Sequence, residues 1–137
     1  MSLISTKGMY GLSAMYELSL IKSEKPTQIK EISERAKIPQ NYLEQLLVIL
    51  RRAELVKSVR GAHGGYFLAR NADDILVKDI LIALEGNLSI TGQEVDNSVL
   101  ELFYKENDKK LEGLFDISLN QLQDYQNKLT NQLNYSI

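Results

Sequence analysis

The chain has no cysteine, one histidine (His63) and no uninterrupted apolar run of roughly 18 residues, the length a membrane span requires. The missing thiols exclude disulfides, thiolate zinc sites, cysteine nucleophiles and thiolate-held iron–sulfur clusters. A lone imidazole makes a poor metal site and leaves no nucleophile–base pair, so no catalytic residue, metal site or cofactor is expected and the chain reads as a non-enzyme. The N-terminus, MSLISTKGMYGL, lacks a charged start followed by an apolar core; with no span in the chain, it predicts a cytoplasmic protein without membrane contact.

Against these absences stand 137 residues, 44% hydrophobic and 25% charged, enough for one modest core and one further element for association. The net charge of −2 conceals a split. Residues 1–70 hold eleven Lys or Arg against six Asp or Glu, a balance of +5, while residues 71–137 hold five against twelve, a balance of −7. A basic half is where a polyanion would lie, although a charge block can also do no more than solubilise a surface.

Hydrophobic spacing predicts mainly helix. Tyr10, Ala14, Leu18 and Ile21 recur at helical steps after a Ser5 or Thr6 cap, giving a first helix over 6–22. Thr27 can cap a short second helix carrying Ile29, Ile32 and Ala36, which ends near Lys37. Pro39 permits an immediate restart, and Leu43, Leu46, Leu47 and Leu50 form the buried stripe of a third helix through Ala53. Leu55 to Arg60 and Tyr66 to Arg70 are β-favouring runs around Gly61, Gly64 and Gly65, whose glycines permit the positive φ values of a hairpin loop. Residues 72–86 form a short helix stopping at Gly86. The reading is a winged helix-turn-helix domain over 1–86 followed by dimerisation or regulatory helices over 87–137.

The face of the third helix opposite its leucines carries Gln40, Asn41, Glu44, Gln45, Arg51 and Arg52, side chains able to address base edges and phosphates in a major groove. A solvated helix has the same composition; the adjoining wing favours recognition of double-stranded DNA. There Glu44 would supply selectivity rather than affinity, and Arg60, at the wing entrance, could enter a minor groove. Tyr42 can reach a phosphate or pack between the first and third helices. His63 can be a plain wing-tip residue or a pH-sensitive phosphate contact. GAHGGY is no nucleotide loop, since it lacks a following Lys-Ser/Thr and leads into a strand.

Beyond the winged domain, Val95, Val99, Leu102, Phe103, Leu111, Leu114 and Phe115 keep helical spacing. A domain this small is already closed, so Val95, Val99, Leu102, Phe103, Leu111 and Leu114 are expected to be covered by a second copy in a homodimer. Such a dimer would set two recognition helices and two wings on one DNA face and demand a palindrome. Ser118 and Gln121 make a capping box for a last helix, ISLNQLQDYQNKL.

The segments ISTKGMYGL, NYLEQLLVILRRAELVKSVRGAHGGYFLAR and ALEG resemble the Rrf-two family of winged-helix transcription regulators, from about residue 3 to residue 88. The resemblance implies a homodimer joined through the long helix and DNA contacts at Lys7, Tyr42, Glu44, Gln45 and Arg60. Cluster-binding members place three cysteines after ALEG, where this chain has SITGQEVDNSVLELF. Met9 stands where many members have Arg, a change that would remove a phosphate contact. Lys37 stands where the turn usually has Gly, at a cost of about 1 kcal/mol. The absence of cysteine is most like the branch that represses cysteine-metabolism genes and takes a cysteine synthase-type enzyme as partner. The competing expectation is a winged-helix interaction module that recruits a partner enzyme without specific DNA binding.

Overall fold

A computed structural model describes residues 2–135. The chain runs α1 (Thr6–Leu20), α2 (Ile29–Ala36), α3 (Gln40–Arg52), β1 (Val56–Val59), β2 (Gly65–Leu68), α4 (Val77–Glu85), α5 (Ser98–Leu114) and α6 (Gln123–Tyr135), with short 3-10 turns before α4 and α6. It is mainly helical with one two-stranded antiparallel hairpin, the winged helix-turn-helix expected.

The main core follows from helical spacing. Leu43, Leu46, Leu47 and Leu50 of α3 are all buried, together with Ala14, Met15 and Leu18 of α1 and Ile32 of α2. Each Leu, Ile or Met among them contributes about 1.5 to 3 kcal/mol by leaving water. Between α2 and α3, Lys37 takes the left-handed conformation (φ 57°, ψ 48°), its N–H donating to Ser33 O, and Ile38 turns inward. The strained position foreseen at Lys37 is therefore present.

Ser5 is the cap of α1, its hydroxyl accepting from Gly8 N. Thr27 does not cap α2. It is 7% exposed and extended, and it exchanges two backbone bonds with Tyr66 of β2 (3.0 and 2.8 Å), leaving Gln28 as a cap without a side-chain bond. With Thr27 held in this bridge, the helix starts at Ile29 and the cap position falls to Gln28. The hairpin pairs Val56 with Leu68 and Val59 with Gly65, so this extra bridge lays the entry to α2 alongside β2 and fastens the wing to the helices.

The helix anticipated over 72–86 is divided. A 3-10 turn at Ala72–Asp74 is followed by extended Ile75 and Leu76, and only Val77–Glu85 is helical, stopping at Gly86 with φ 84°. Leu76 bridges to Ser118, Leu119 N donates to Ile75 O, and Ile117 O accepts from Val77 N. The segment after α5 thus supplies acceptors for the first turn of α4 and sends Leu119 into the main core. The stretch 115–122 is packed with the winged unit although it follows Gly86 in sequence. The Ser118–Gln121 capping box forms reciprocally, Gln121 Oε1 accepting from Ser118 N (2.8 Å) and Ser118 Oγ from Gln121 N (3.2 Å).

Helix α5 begins later than its apolar spacing suggests. Asn97 caps it, accepting from Val99 and Leu100 N–H groups, so Val95 lies ahead of the helix and is half-buried.

Candidate nucleic-acid interface

Helix α3 presents Gln40, Asn41, Glu44 and Gln45 to solvent because its other side is taken by the four buried leucines. Glu44 takes part in none of the ion pairs formed among the described residues. Its carboxylate and the neighbouring amides are available to donors and acceptors outside the chain.

The wing loop sits against the start of this helix. Gln28, Lys30, Gln40, Gly61, Gly64 and Gly65 line one shallow cleft of about 370 Å³. Arg60 is exposed at the exit of β1. Gly61 has φ +110°, and Gly64 N closes the turn onto Gly61 O at 3.0 Å. Gly64 is required for a different reason from the one expected: a Cβ there would collide with the Val59 carbonyl oxygen. Gly65, at φ +157°, would drive a Cβ into the Thr27 carbonyl. Ala62 and His63 form the exposed tip.

Tyr42 is half-buried and meets Tyr10 edge-on, with centroids 5.8 Å apart and planes at 75°; of its two readings, packing between α1 and α3 is what the structure shows. Lys7 is exposed one helical turn before Tyr10, so it shares the face of α1 that turns toward the start of α3. Arg51 is not part of the cleft. It lies about 16 Å along α3 from Gln40, in a separate hollow beside Lys57 and Arg70. Gln28, Lys30 and Lys57 join the exposed polar surface without having been anticipated. The Thr27–Tyr66 bridge carries the end of α2 that holds Lys30 to the wing.

The C-terminal apolar stripe is mostly open. Val99 is 77% exposed and Phe103 56%, and Leu102 and Leu114 are also exposed. Leu111 differs from the rest of the expected interface set: it is 9% exposed, largely covered within its own chain. Met9 lines an apolar groove of about 600 Å³ between α1 and α6, with Leu12, Tyr16, Tyr125 and Leu129. Its apolar side chain has this apolar surface as neighbour, a role the comparison with a phosphate-contacting Arg did not suggest.

A polar helix face beside a β-hairpin wing, both on the basic half of the chain, defines a winged helix-turn-helix transcription regulator. Residues 4–132 match the family described as Rrf2, iron-dependent transcriptional regulator, and the chain belongs to that family. It is 41% identical over 124 residues to the HTH-type transcriptional regulator CymR of Bacillus subtilis, covering 89% of this chain and 90% of that protein. It is 42% identical over 88 residues to IscR of Sodalis glossinidius, 64% of this chain, and spans only 53% of that relative's length. The solved structure of CymR (YrzC), the global cysteine regulator of B. subtilis, superposes with TM-score 0.77 at 42% identity, covering 91% of this chain and 98% of that one. T. potens IscR gives 0.74 at 43% identity, covering 88% and 85%.

The family description implies iron. The donor set here does not fit a thiolate-held cluster, since the chain has no cysteine and its one histidine is at the exposed wing tip. Among the described residues no group of three or more His, Cys, Asp or Glu side chains could hold a metal ion.

Proposed function

We propose that this chain is a sequence-specific DNA-binding repressor that engages palindromic operators as a homodimer, acts in the cytoplasm on genes of sulfur and cysteine metabolism, and works without an iron–sulfur cluster. The observation that carries this reading is the placement of Gln40 and the wing loop on one cleft, with Asn41, Glu44, Gln45 and Arg60 exposed around it. The α3 side chains enter a major groove, Arg60 reaches the adjacent minor groove, and Lys7 holds a phosphate at the N-terminus of α1. The open stripe of Val99, Leu102, Phe103 and Leu114 pairs two copies, and the half-sites then lie about one helical turn apart or more. Likeness to a global cysteine regulator over nearly its whole length supports the metabolic assignment, and the partner enzyme in this reading is of the cysteine synthase type.

The test is selection of genomic fragments by the purified protein, followed by titration of the best duplex at two salt concentrations. A palindrome is expected, with affinity falling about 10³-fold or more between 50 and 200 mM salt if six or more phosphates are neutralised. Flat, weak binding without a preferred sequence would reject this reading in favour of an interaction module.

A further inference from the structure

We infer that Glu85 is a positioning residue for DNA binding: its carboxylate clamps the first turn of α1 and so holds Lys7 ready for phosphate. This inference rests on the DNA-binding reading above. Glu85 Oε1 accepts from the backbone N–H of Ser5 at 2.8 Å and from the Ser5 hydroxyl at 2.7 Å, joining residues 80 positions apart. Both bonds are charge-assisted, the stronger kind.

The location is informative. As the last residue of α4, Glu85 puts a negative charge at the helix end where the dipole opposes it. The same carboxylate lands at the N-terminal end of α1, where the dipole favours it. Helix α1 is shaped to receive it, for a Cβ on Gly8 would strike the Glu85 carboxylate. Ser5 in turn caps the helix through Gly8 N, so the clamp and the cap share one hydroxyl.

Consequences for Lys7 follow from its place two residues beyond Ser5. Ser2 and Leu3 are exposed, Ile4 packs on the small cluster of Val77, Leu81 and Leu88, and the two Glu85 bonds add the polar tie that fixes the backbone at Ser5. Fixing the backbone of one residue costs roughly 5- to 30-fold in an equilibrium constant, a cost otherwise met on each encounter with DNA. Glu85 meets it in the free protein. Gly86, at φ +84°, follows directly and opens the segment leading to α5, where Ile90 N donates to Asp108 Oδ1 at 2.9 Å. The clamp therefore sits at the junction between the α1 start and the C-terminal helices.

The experiment uses the full chain and the duplex that the wild-type protein selects. Glu85→Ala is expected to weaken binding about tenfold and to lower the slope of log affinity against log salt by about one, the loss of one phosphate contact. Glu85→Gln, which keeps an oxygen for both Ser5 donors, recovers most of the affinity and the slope. In the Glu85→Ala background, Lys7→Ala costs little more, because its contact is already lost. Should Glu85→Ala not fold, Ser5→Ala removes the hydroxyl bond to Glu85 together with the Gly8 cap but keeps the backbone bond, and gives an intermediate loss with the same non-additivity toward Lys7→Ala. Full affinity and slope in Glu85→Ala, failure of Gln to rescue, or multiplicative losses with Lys7→Ala would each overturn the inference. If the wild-type protein selects no duplex, the DNA-binding reading has failed instead.

Discussion

Replacing Gly65 with alanine probes the bridge that fastens the wing. Gly65 has φ +157°, a conformation L side chains rarely adopt, and holding alanine there costs about 1 to 3 kcal/mol. The new Cβ would also press on the carbonyl oxygen and carbon of Thr27, backbone atoms that cannot swing aside as a side chain would. Relief requires stretching the Thr27–Tyr66 pair of bonds, at 3.0 and 2.8 Å, each worth about 0.5 to 1.5 kcal/mol. The expected loss is therefore about 2 to 6 kcal/mol, read as a drop of about 1 to 3 M in the urea midpoint followed by far-UV circular dichroism. Gly61→Ala is the control. It too has positive φ, +110°, but its Cβ would meet nothing within 4 Å, so it should lose only the conformational cost of about 1 to 3 kcal/mol. Equal midpoints for the two variants would refute the assignment of Thr27 as the wing's anchor.

Arg60→Ala should weaken operator binding by about 1 to 3 kcal/mol, and Glu44→Ala should relax discrimination among operator variants more than it lowers affinity, both measurable by competition titration. Lys37→Gly should raise stability by about 0.5 to 1 kcal/mol in chemical denaturation, because the left-handed backbone at Lys37 favours glycine. Phe103→Asp should yield a folded monomer in sedimentation, since that ring is exposed within the chain, whereas Leu111→Ala should cost about 2 to 5 kcal/mol of fold stability. A dimer that survives Phe103→Asp would move the interface elsewhere.

The helix-turn-helix and wing were legible because their signals are local. The leucines of α3 repeat with the helix period and are all buried, and the residues left on the other face are the polar ones assigned to DNA. The hairpin showed itself through its glycines, and its observed strands lie within two residues of the β-favouring runs. Tyr42 divided the reading because an amphipathic ring satisfies either environment, and its contact with Tyr10 depends on how α1 and α3 cross.

By itself the sequence determined the helical periods, the wing, the polar face of α3 and, by the absence of cysteine, a donor set unfit for a thiolate cluster. Tertiary structure decided which backbone groups pair at long range. Thr27 serves β2 rather than α2, residues 115 and 117 complete the start of α4, and Glu85 closes on Ser5. It also decided which face of α5 is spent internally, burying Leu111 while leaving Val99 and Phe103 open. The physical reason is that side-chain periodicity reports one element's own burial, whereas every buried N–H and C=O must find a partner wherever the folded chain places one.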